Sequence, residues 1–162
     1  MKAALLTAPG RLTLTELPPP EPMEGEVRIN IICVGICGSD VHLFKGQRPL
    51  QGTSILGHEA IGLVEKLGEG VTTLSIGDRV VIEPNIPCGR CELCYRGQGN
   101  HCAHKRVIGL TDPGCFAEYV CCPEGFCWKL PSTVSNGDGV TIEPLAVAVH
   151  ALSRSHAKPG EG

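Results

Sequence analysis

A histidine and a glutamate stand side by side at His58 and Glu59, directly after Gly57 and inside the apolar run from Ile55 to Val64. An imidazole and a carboxylate are costly to bury unless they are paired or bind a metal. Neighbouring side chains in a regular strand point to opposite faces, so both reach one site only where the backbone bends, as Gly57 allows. The pair indicates a metal site, and a bent strand with a hydrogen-bonded histidine is the alternative.

A third ligand of the right type lies about twenty residues upstream, in the segment 35–42 with the sequence GICGSDVH. Its Cys37 completes the set of cysteine, histidine and glutamate that is typical of a catalytic zinc, which keeps one position open for water or substrate. A soft thiolate beside an imidazole and a carboxylate favours zinc over magnesium or calcium. The two stretches together therefore predict one catalytic metal site.

A second cluster consists of four cysteines separated by two, two and seven residues, namely Cys88, Cys91, Cys94 and Cys102. Thiolates at these spacings predict one tetrahedral zinc with closed coordination, and hence a structural role for the loop 86–104. The rival is an iron–sulfur site, whose ferredoxin run has three residues before its last cysteine and a proline after it. Here seven residues precede the last cysteine and Ala103 follows it.

Composition bounds the classes of function. The chain has 162 residues with 21 glycines and 13 prolines, which suits one all-β domain rich in tight turns. A formal net charge of −3 without a basic cluster argues against nucleic-acid or membrane partners. No apolar stretch is long enough to span a bilayer and no signal peptide is evident. We therefore predict a cytoplasmic protein whose ten cysteines are reduced.

The elements that must position these residues are mostly short strands. Apolar alternation and turn residues predict strands over 2–6, 12–17, 26–34, 60–67, 79–82, 116–122 and 126–130. A short helix is predicted from Ser39 to Lys45, with Ser39 or Asp40 as its cap.

The end of the chain differs from the rest. Residues 144–152 are apolar almost all round, with Pro144 suited to the first position of a helix that must be buried here or against something else. Five further cysteines have no partner at ligand spacing and are interpreted as small apolar fillers: Cys33, Cys115, Cys121, Cys122 and Cys127.

Taken in order, the motifs resemble a known family. They are GICGSDVH at 35–42, GHEA at 57–60, GDRV at 77–80, the four-cysteine loop, GCFAEY at 114–119 and IEPL at 142–145. This series is similar to that of the zinc-dependent medium-chain alcohol dehydrogenases, with sorbitol and threonine dehydrogenases as the nearest branch.

The resemblance implies a mostly β fold with a few short helices, the GroES-like β-barrel catalytic domain, over residues 1–152. Residues 153–162 would then be a connector to a cofactor-binding Rossmann domain that is absent from this chain, where no Gly-x-Gly-x-x-Gly fingerprint occurs. The chain is thus expected to be part of a longer protein and to be inactive alone.

The resemblance also assigns the metal ligands. Cys37 and His58 would bind the catalytic zinc, Glu59 would bind it or lie close to it, and Glu143 would lie at or beside it. For Glu143 the alternative is a carboxylate stabilised at a helix N-terminus. His101, inside the cysteine loop, is the spare candidate ligand there.

Two further residues would move the substrate proton. By resemblance, the hydroxyl of Ser39 takes that proton and His42 passes it towards solvent, while zinc acts as a Lewis acid. The alternatives are a helix cap for Ser39, which is compatible with a relay, and a partly exposed loop histidine for His42.

The implied enzyme oxidises a polyol or other secondary alcohol with NAD or NADP, holds two zinc ions per chain and forms a dimer or tetramer at full length. Two interpretations stay open beside it. One is a threonine 3-dehydrogenase-like enzyme, and the other is a free-standing, non-catalytic zinc-binding domain.

Overall fold

The computed structural model describes residues 1–50, 54–155 and 160. The strands within these ranges are β1 Lys2–Ala8, β2 Arg11–Glu16, β3 Glu26–Val34, β4 Ala60–Leu67, β5 Arg79–Ile82, β6 Asn85–Ile86, β7 Arg106–Val107, β8 Tyr119–Pro123 and β9 Cys127–Lys129. The α-helices are α1 Gly38–Phe44, α2 Glu92–Tyr95, α3 Asn136–Val140 and α4 Ile142–Ser155, and 3-10 turns span Gly99–His101 and Glu124–Phe126. None of these helices is both long and apolar enough to cross a lipid bilayer.

The main sheet is five-stranded, in the order β8-β3-β4-β5-β9, and every neighbouring pair is antiparallel. Its two edge strands, β8 and β9, are consecutive in the chain and joined by the 3-10 turn Glu124–Phe126. The sheet is therefore curled into a half-barrel. β1 and β2 form a separate hairpin, and β6 pairs with β7 beside the cysteine loop.

Buried and less buried residues alternate along β3, the second strand of the main sheet. Val27 and Ile29 are fully buried, whereas Arg28 is partly buried and Asn30 is exposed, which is the two-residue period of a half-buried strand. The register against β4 shifts between Ile31 and Cys33, which marks a bulge that leaves Ile32 unpaired. Because a bulge bends its strand, this one redirects the chain just before it enters the segment 35–42.

The core fills the inside of this curled sheet. Its members are apolar side chains and small thiols from β3, β4, β5, β6, β8, β9 and the connecting loops: Val27, Ile29, Ala60, Val64, Leu74, Val80, Ile82, Ile86, Ile108, Cys115, Val120, Cys122 and Cys127. A second, smaller cluster of Leu6, Leu43 and Leu56 anchors α1 to the body of the domain.

The predicted strands agree with the structure to different degrees. Those over 26–34, 60–67 and 79–82 are confirmed with the same bounds, and the first hairpin is confirmed with slightly longer and shifted strands. β8 begins at Tyr119 and not at residue 116, because the N–H groups of Gly114, Cys115 and Phe116 bond to the backbone of 55–57 and not to β3. The last strand is shortened to Cys127–Lys129.

The predicted N-cap position was wrong, although Asp40 does take part in capping the helix. Helix α1 starts at Gly38 with Cys37 as its N-cap, not with Ser39 or Asp40 in that position. The reason is that Asp40 is the third residue of the helix and accepts a hydrogen bond from the backbone N–H of Cys37 through Oδ2, at 3.0 Å. The side chain caps the helix by reaching back, as in a capping box.

The end of the chain also departs from expectation. Helix α4 starts two residues before Pro144, so Pro144 is not its first residue, and the helix extends to Ser155. None of its residues is buried, and Leu145, Val147 and Leu152 are about 60% exposed. Its apolar face is therefore uncovered in the described part of the chain. The predicted connector is helical at 153–155, and its residues 156–159, 161 and 162 lie outside the described residues.

Candidate metal centres and active site

The structure brings Cys37, His58 and Glu59 together. One ligand atom from each of them lies within 4.8 Å of the ligand atoms of the other two. Cys37 comes from the N-cap of α1, while His58 and Glu59 immediately precede β4. Sulfur, nitrogen and oxygen donors this close fit one zinc ion, whose bonds to such donors measure about 2.0–2.3 Å.

Two glycines allow this meeting. Gly57 has φ +88°, the left-handed region, and a Cβ there would lie 2.7 Å from the ring of Phe116. This is the bend that the sequence predicted. A Cβ on Gly35 would collide with Oε2 of Glu59, and the N–H of Gly35 donates to the Glu59 carbonyl at 2.7 Å. Glycine at both positions therefore lets the two stretches approach each other.

Asp40 joins the two stretches, a role that sequence patterns did not predict. Its side chain is buried, Oδ2 accepts from the N–H of Cys37, and Oδ1 accepts from the N–H of Gly57 at 3.2 Å. The same Oδ1 lies 3.8 Å from Nδ1 of His58. Carboxylates behind a metal-ligating histidine orient its ring. The only available signal was an acidic residue three positions after Cys37, which also fits a simple cap.

Asp40→Asn is expected to weaken zinc binding at this group about 10- to 100-fold. The amide keeps one acceptor oxygen, so an NH₂ group must face the N–H of either Cys37 or Gly57. Competition with a chromogenic chelator measures the affinity. Asp138→Asn, which alters an exposed carboxylate bonded to Ser135, is the matched control and should leave the affinity unchanged. Equal affinities for Asp40→Asn and wild type contradict the assignment.

A cavity of about 190 Å³ opens beside this group. Its described lining residues are Ser39, Leu43, Arg48, His58, Pro84, Asn85, Val107, Gly109, Leu110 and Glu143. Ser39, His58 and Glu143 thus share one space, although they come from α1, the segment just before β4 and the first turn of α4. This space is where a substrate could meet both the metal ligands and the serine hydroxyl.

Glu143 borders the cavity but does not belong to the close group of three ligands. Burial raises the pKa of Glu143, His58 opposes that shift, and Glu59 adds to it. The carboxylate therefore lies within the electrostatic reach of both predicted ligands. It also lies in the first turn of α4, so the helix N-terminus suggested as an alternative is present as well.

His42 lies on α1 one turn after Ser39 but is exposed, and it is not among the described residues that line the cavity. Its Nδ1 contacts Oε1 of Gln47. Residues three apart on a helix share a face, so the two predicted relay residues are neighbours with one in the cavity and the other at the surface.

The four loop cysteines form the second centre, with all four sulfurs within 4.8 Å of one another. Cys91 Sγ lies 3.4 Å from Cys94 Sγ and 3.8 Å from Cys102 Sγ, and Cys88 Sγ lies 4.0 Å from Cys94 Sγ. Four sulfurs around one zinc at about 2.3 Å are about 3.8 Å apart. The spacing of the thiols therefore fits a closed tetrahedral site.

The thiols of this loop do not hold their protons equally. The backbone N–H of Arg90 is the main cause that lowers the pKa of Cys88 to about 6. Burial, followed by the Cys91 thiol, raises the pKa of Cys94 to about 11. A Cys88 thiolate can bind a metal ion first, and binding by the other three cysteines then releases their protons.

The remaining predicted residues lie elsewhere. His101 is exposed and does not join the four-cysteine group among the described residues. Cys115, Cys122 and Cys127 are buried in the core, while Cys33 and Cys121 are partly buried. The loop itself is not wholly irregular, because α2 and the 3-10 turn Gly99–His101 lie within it and space the cysteines.

A family model and several relatives, each named as a dehydrogenase or reductase, match this chain. The family model described as the alcohol dehydrogenase GroES-like domain matches residues 23–132. The Aspergillus fumigatus protein named "Probable D-xylulose reductase A" is 44% identical over 142 residues, which cover 84% of this chain and 39% of that protein.

Two solved structures from Escherichia coli are also similar. Galactitol-1-phosphate dehydrogenase superposes with a TM-score of 0.91 at 33% identity, covering 97% of this chain and 46% of that one. The short chain alcohol dehydrogenase RspB of strain CFT073, solved with the cofactor NADH, has a TM-score of 0.91 at 35% identity, covering 98% and 46%. The chain thus spans less than half the length of these relatives.

Proposed function

Because the chain belongs to the alcohol dehydrogenase GroES-like domain family, found in zinc-dependent medium-chain alcohol dehydrogenases, we propose that it carries the substrate site of an NAD- or NADP-linked enzyme. That enzyme oxidises a polyol or other secondary alcohol to a ketone. The observation that carries this proposal is the close group of Cys37, His58 and Glu59 beside a cavity that also holds Ser39. The names of the relatives, a D-xylulose reductase and a galactitol-1-phosphate dehydrogenase, support a polyol-like substrate.

Each residue has a proposed task. Cys37, His58 and Glu59 hold a catalytic zinc, with Glu143 at or beside it, and Cys88, Cys91, Cys94 and Cys102 hold a structural zinc. When bound, the catalytic ion supplies a Lewis acid that lowers the pKa of an alcohol. Asp40 orients the His58 ring through its Oδ1 atom, which faces Nδ1 of the imidazole.

The proton path uses α1. Ser39 lies in the cavity, where its hydroxyl can accept the alcohol proton while passing on its own. His42, one turn further and exposed, delivers the proton to solvent. The nicotinamide accepts the hydride. In this proposal, the contribution of this chain is to hold the alcohol that donates it.

The wider organisation is part of the same proposal. Residues 1–152 form the catalytic domain, and residues 153–162 lead to a cofactor-binding domain in a longer, homo-oligomeric, cytoplasmic enzyme. The uncovered apolar face of α4 supports a further unit packed against it. By this proposal the 162 residues alone are inactive, because the proposed cofactor-binding domain is what would hold the nicotinamide in place.

The test is a spectrophotometric scan with the full-length protein that contains this chain. Nicotinamide reduction is followed with NAD and with NADP over polyols, threonine and simple secondary alcohols. Turnover of polyols supports the proposal, and preference for threonine would select the threonine dehydrogenase alternative. Absence of turnover by the zinc-loaded protein on every substrate would contradict a dehydrogenase and favour a non-catalytic zinc-binding domain.

Protein purified without chelator is expected to contain two zinc ions per chain, because the two ligand sets are separate. Elemental analysis by plasma mass spectrometry, with protein quantified by amino-acid analysis, gives the ratio. Iron in place of zinc, or well under one metal ion per chain, would refute the assignment.

A further inference from the structure

The cavity beside the metal ligands is lined by a cation, Arg48, that has no partner among the described residues. Arg48 shares this space with Ser39 and His58, and it forms no ion pair or hydrogen bond with any residue of the described ranges. Arg28 pairs with Glu21 and Glu65, and Arg106 pairs with Asp112. Arg90 and Arg154 also form no ion pair within the described ranges, but they do not line this cavity. The Arg48 guanidinium is thus available to bind a ligand at the candidate substrate site.

We propose that the substrate is an anionic alcohol, a polyol or hydroxy acid that carries a phosphate or carboxylate group bound by Arg48. This inference rests on the proposed function and names its substrate class. A neutral polyol needs hydrogen-bonding groups for its hydroxyls but no fixed positive charge. A guanidinium presents a planar fork of N–H donors that matches a carboxylate or a phosphate.

The rest of the cavity supports this role. Among the described lining residues Arg48 is the only arginine or lysine, and this solvent-exposed residue shares the cavity with the apolar side chains of Leu43, Pro84, Val107 and Leu110. The acidic lining group Glu143 forms no ion pair with Arg48, so the guanidinium is not already neutralised by that carboxylate.

The backbone before Arg48 is fixed to the helix that carries Ser39. The N–H of Gly46 donates to the carbonyl of Leu43 at 2.9 Å, and the N–H of Gln47 donates to the carbonyl of His42 at 3.0 Å. Gly46 has φ +70°, and a Cβ there would lie 2.9 Å from Pro9. The chain therefore leaves α1 in a defined direction, which sets the position of Arg48 relative to Ser39.

The test measures both binding and turnover in the zinc-loaded full-length protein. Calorimetric titration and steady-state kinetics compare three probes: a neutral polyol, a polyol phosphate and an aldonic acid. We expect wild type to prefer one of the two anionic probes over the neutral polyol. Preference for the polyol phosphate indicates a phosphate group, and preference for the aldonic acid indicates a carboxylate. Arg48→Gln should raise the KM for the preferred anionic probe about 10- to 100-fold, with little change in its kcat. The kinetic constants for the neutral polyol should change little.

Lys45→Gln is the matched control, because it removes the same charge three residues earlier from an exposed side chain that is not among the described lining residues. It should retain the preference. Equal losses in both variants, no preference for anions in wild type, or an effect of Arg48→Gln confined to the KM of the nicotinamide would each overturn the inference. Arg48-dependent binding of an anionic probe without any turnover would instead overturn the dehydrogenase proposal and leave the anion site standing.

Discussion

Cys94→Ser is expected to unfold the loop 86–104 and to lower the melting temperature of the protein markedly. The described residues of this loop include few buried side chains, chiefly Ile86 and Cys102, so packing alone holds it weakly. Zinc bound by four thiolates contributes on the order of 10–16 kcal/mol in peptide-sized sites, and serine does not replace a thiolate. Thermal unfolding followed by circular dichroism, with zinc content measured on the same samples, gives the result.

Two other cysteines serve as controls for this prediction. Cys33→Ser changes a partly buried thiol outside both ligand groups, and it should retain both zinc ions. Cys37→Ser should remove one zinc ion and leave the fold nearly intact, because its neighbours are held by backbone hydrogen bonds and by Asp40. Equal melting temperatures for Cys94→Ser and wild type would refute a structural role for the cysteine loop.

His58→Ala is expected to reduce kcat/KM of the full-length enzyme by at least about 1000-fold. The substitution deletes the imidazole from the group formed with Cys37 and Glu59 and removes the ring nitrogen that lies 3.8 Å from Asp40 Oδ1. The main sheet should persist, because His58 is not among the core residues. The measurement is the rate of nicotinamide reduction on the best substrate from the scan, together with zinc content.

The control for His58 is His104→Ala, which alters an exposed histidine at the end of the cysteine loop that belongs to neither ligand group among the described residues. It should retain activity and both zinc ions. If His58→Ala kept most of its activity, the catalytic centre would have to lie elsewhere. If both histidine variants lost activity equally, the effect would reflect general destabilisation.

The strands were the most predictable part of the fold. In β3 the alternation of buried and less buried residues is a local pattern that the sequence carries directly, and the bounds of both β3 and β4 agree with prediction. The family match then confirms the GroES-like fold. Helix α3 was missed because Gly137 and Gly139 disfavour a helix locally. At Gly139 a Cβ would lie 3.1 Å from Leu130 and 3.3 Å from Ile61, so glycine fits there without displacing those side chains.

The candidate site was predictable in its ligands but not in its supporting residues. A cysteine, a histidine and a glutamate have few roles in common other than metal binding, so Cys37, His58 and Glu59 were identifiable from type and spacing. Asp40 and Arg48 have many possible roles, and only the three-dimensional contacts distinguish them. Asp40 contacts residues on both stretches, and Arg48 reaches the cavity from a turn whose direction depends on Gly46.

The pairing of β3 with β8 has a consequence during synthesis of the protein. Val27 pairs with Cys122, so about 95 residues separate the partners. At a translation rate of about 5–20 residues per second, β8 is synthesised about 5–20 s after β3. During that interval one edge of the β3–β4 hairpin is open to pairing with other nascent chains. We expect Arg28 and Asn30, on its outer face, to act as gatekeepers that keep the growing polypeptide from aggregating on the ribosome.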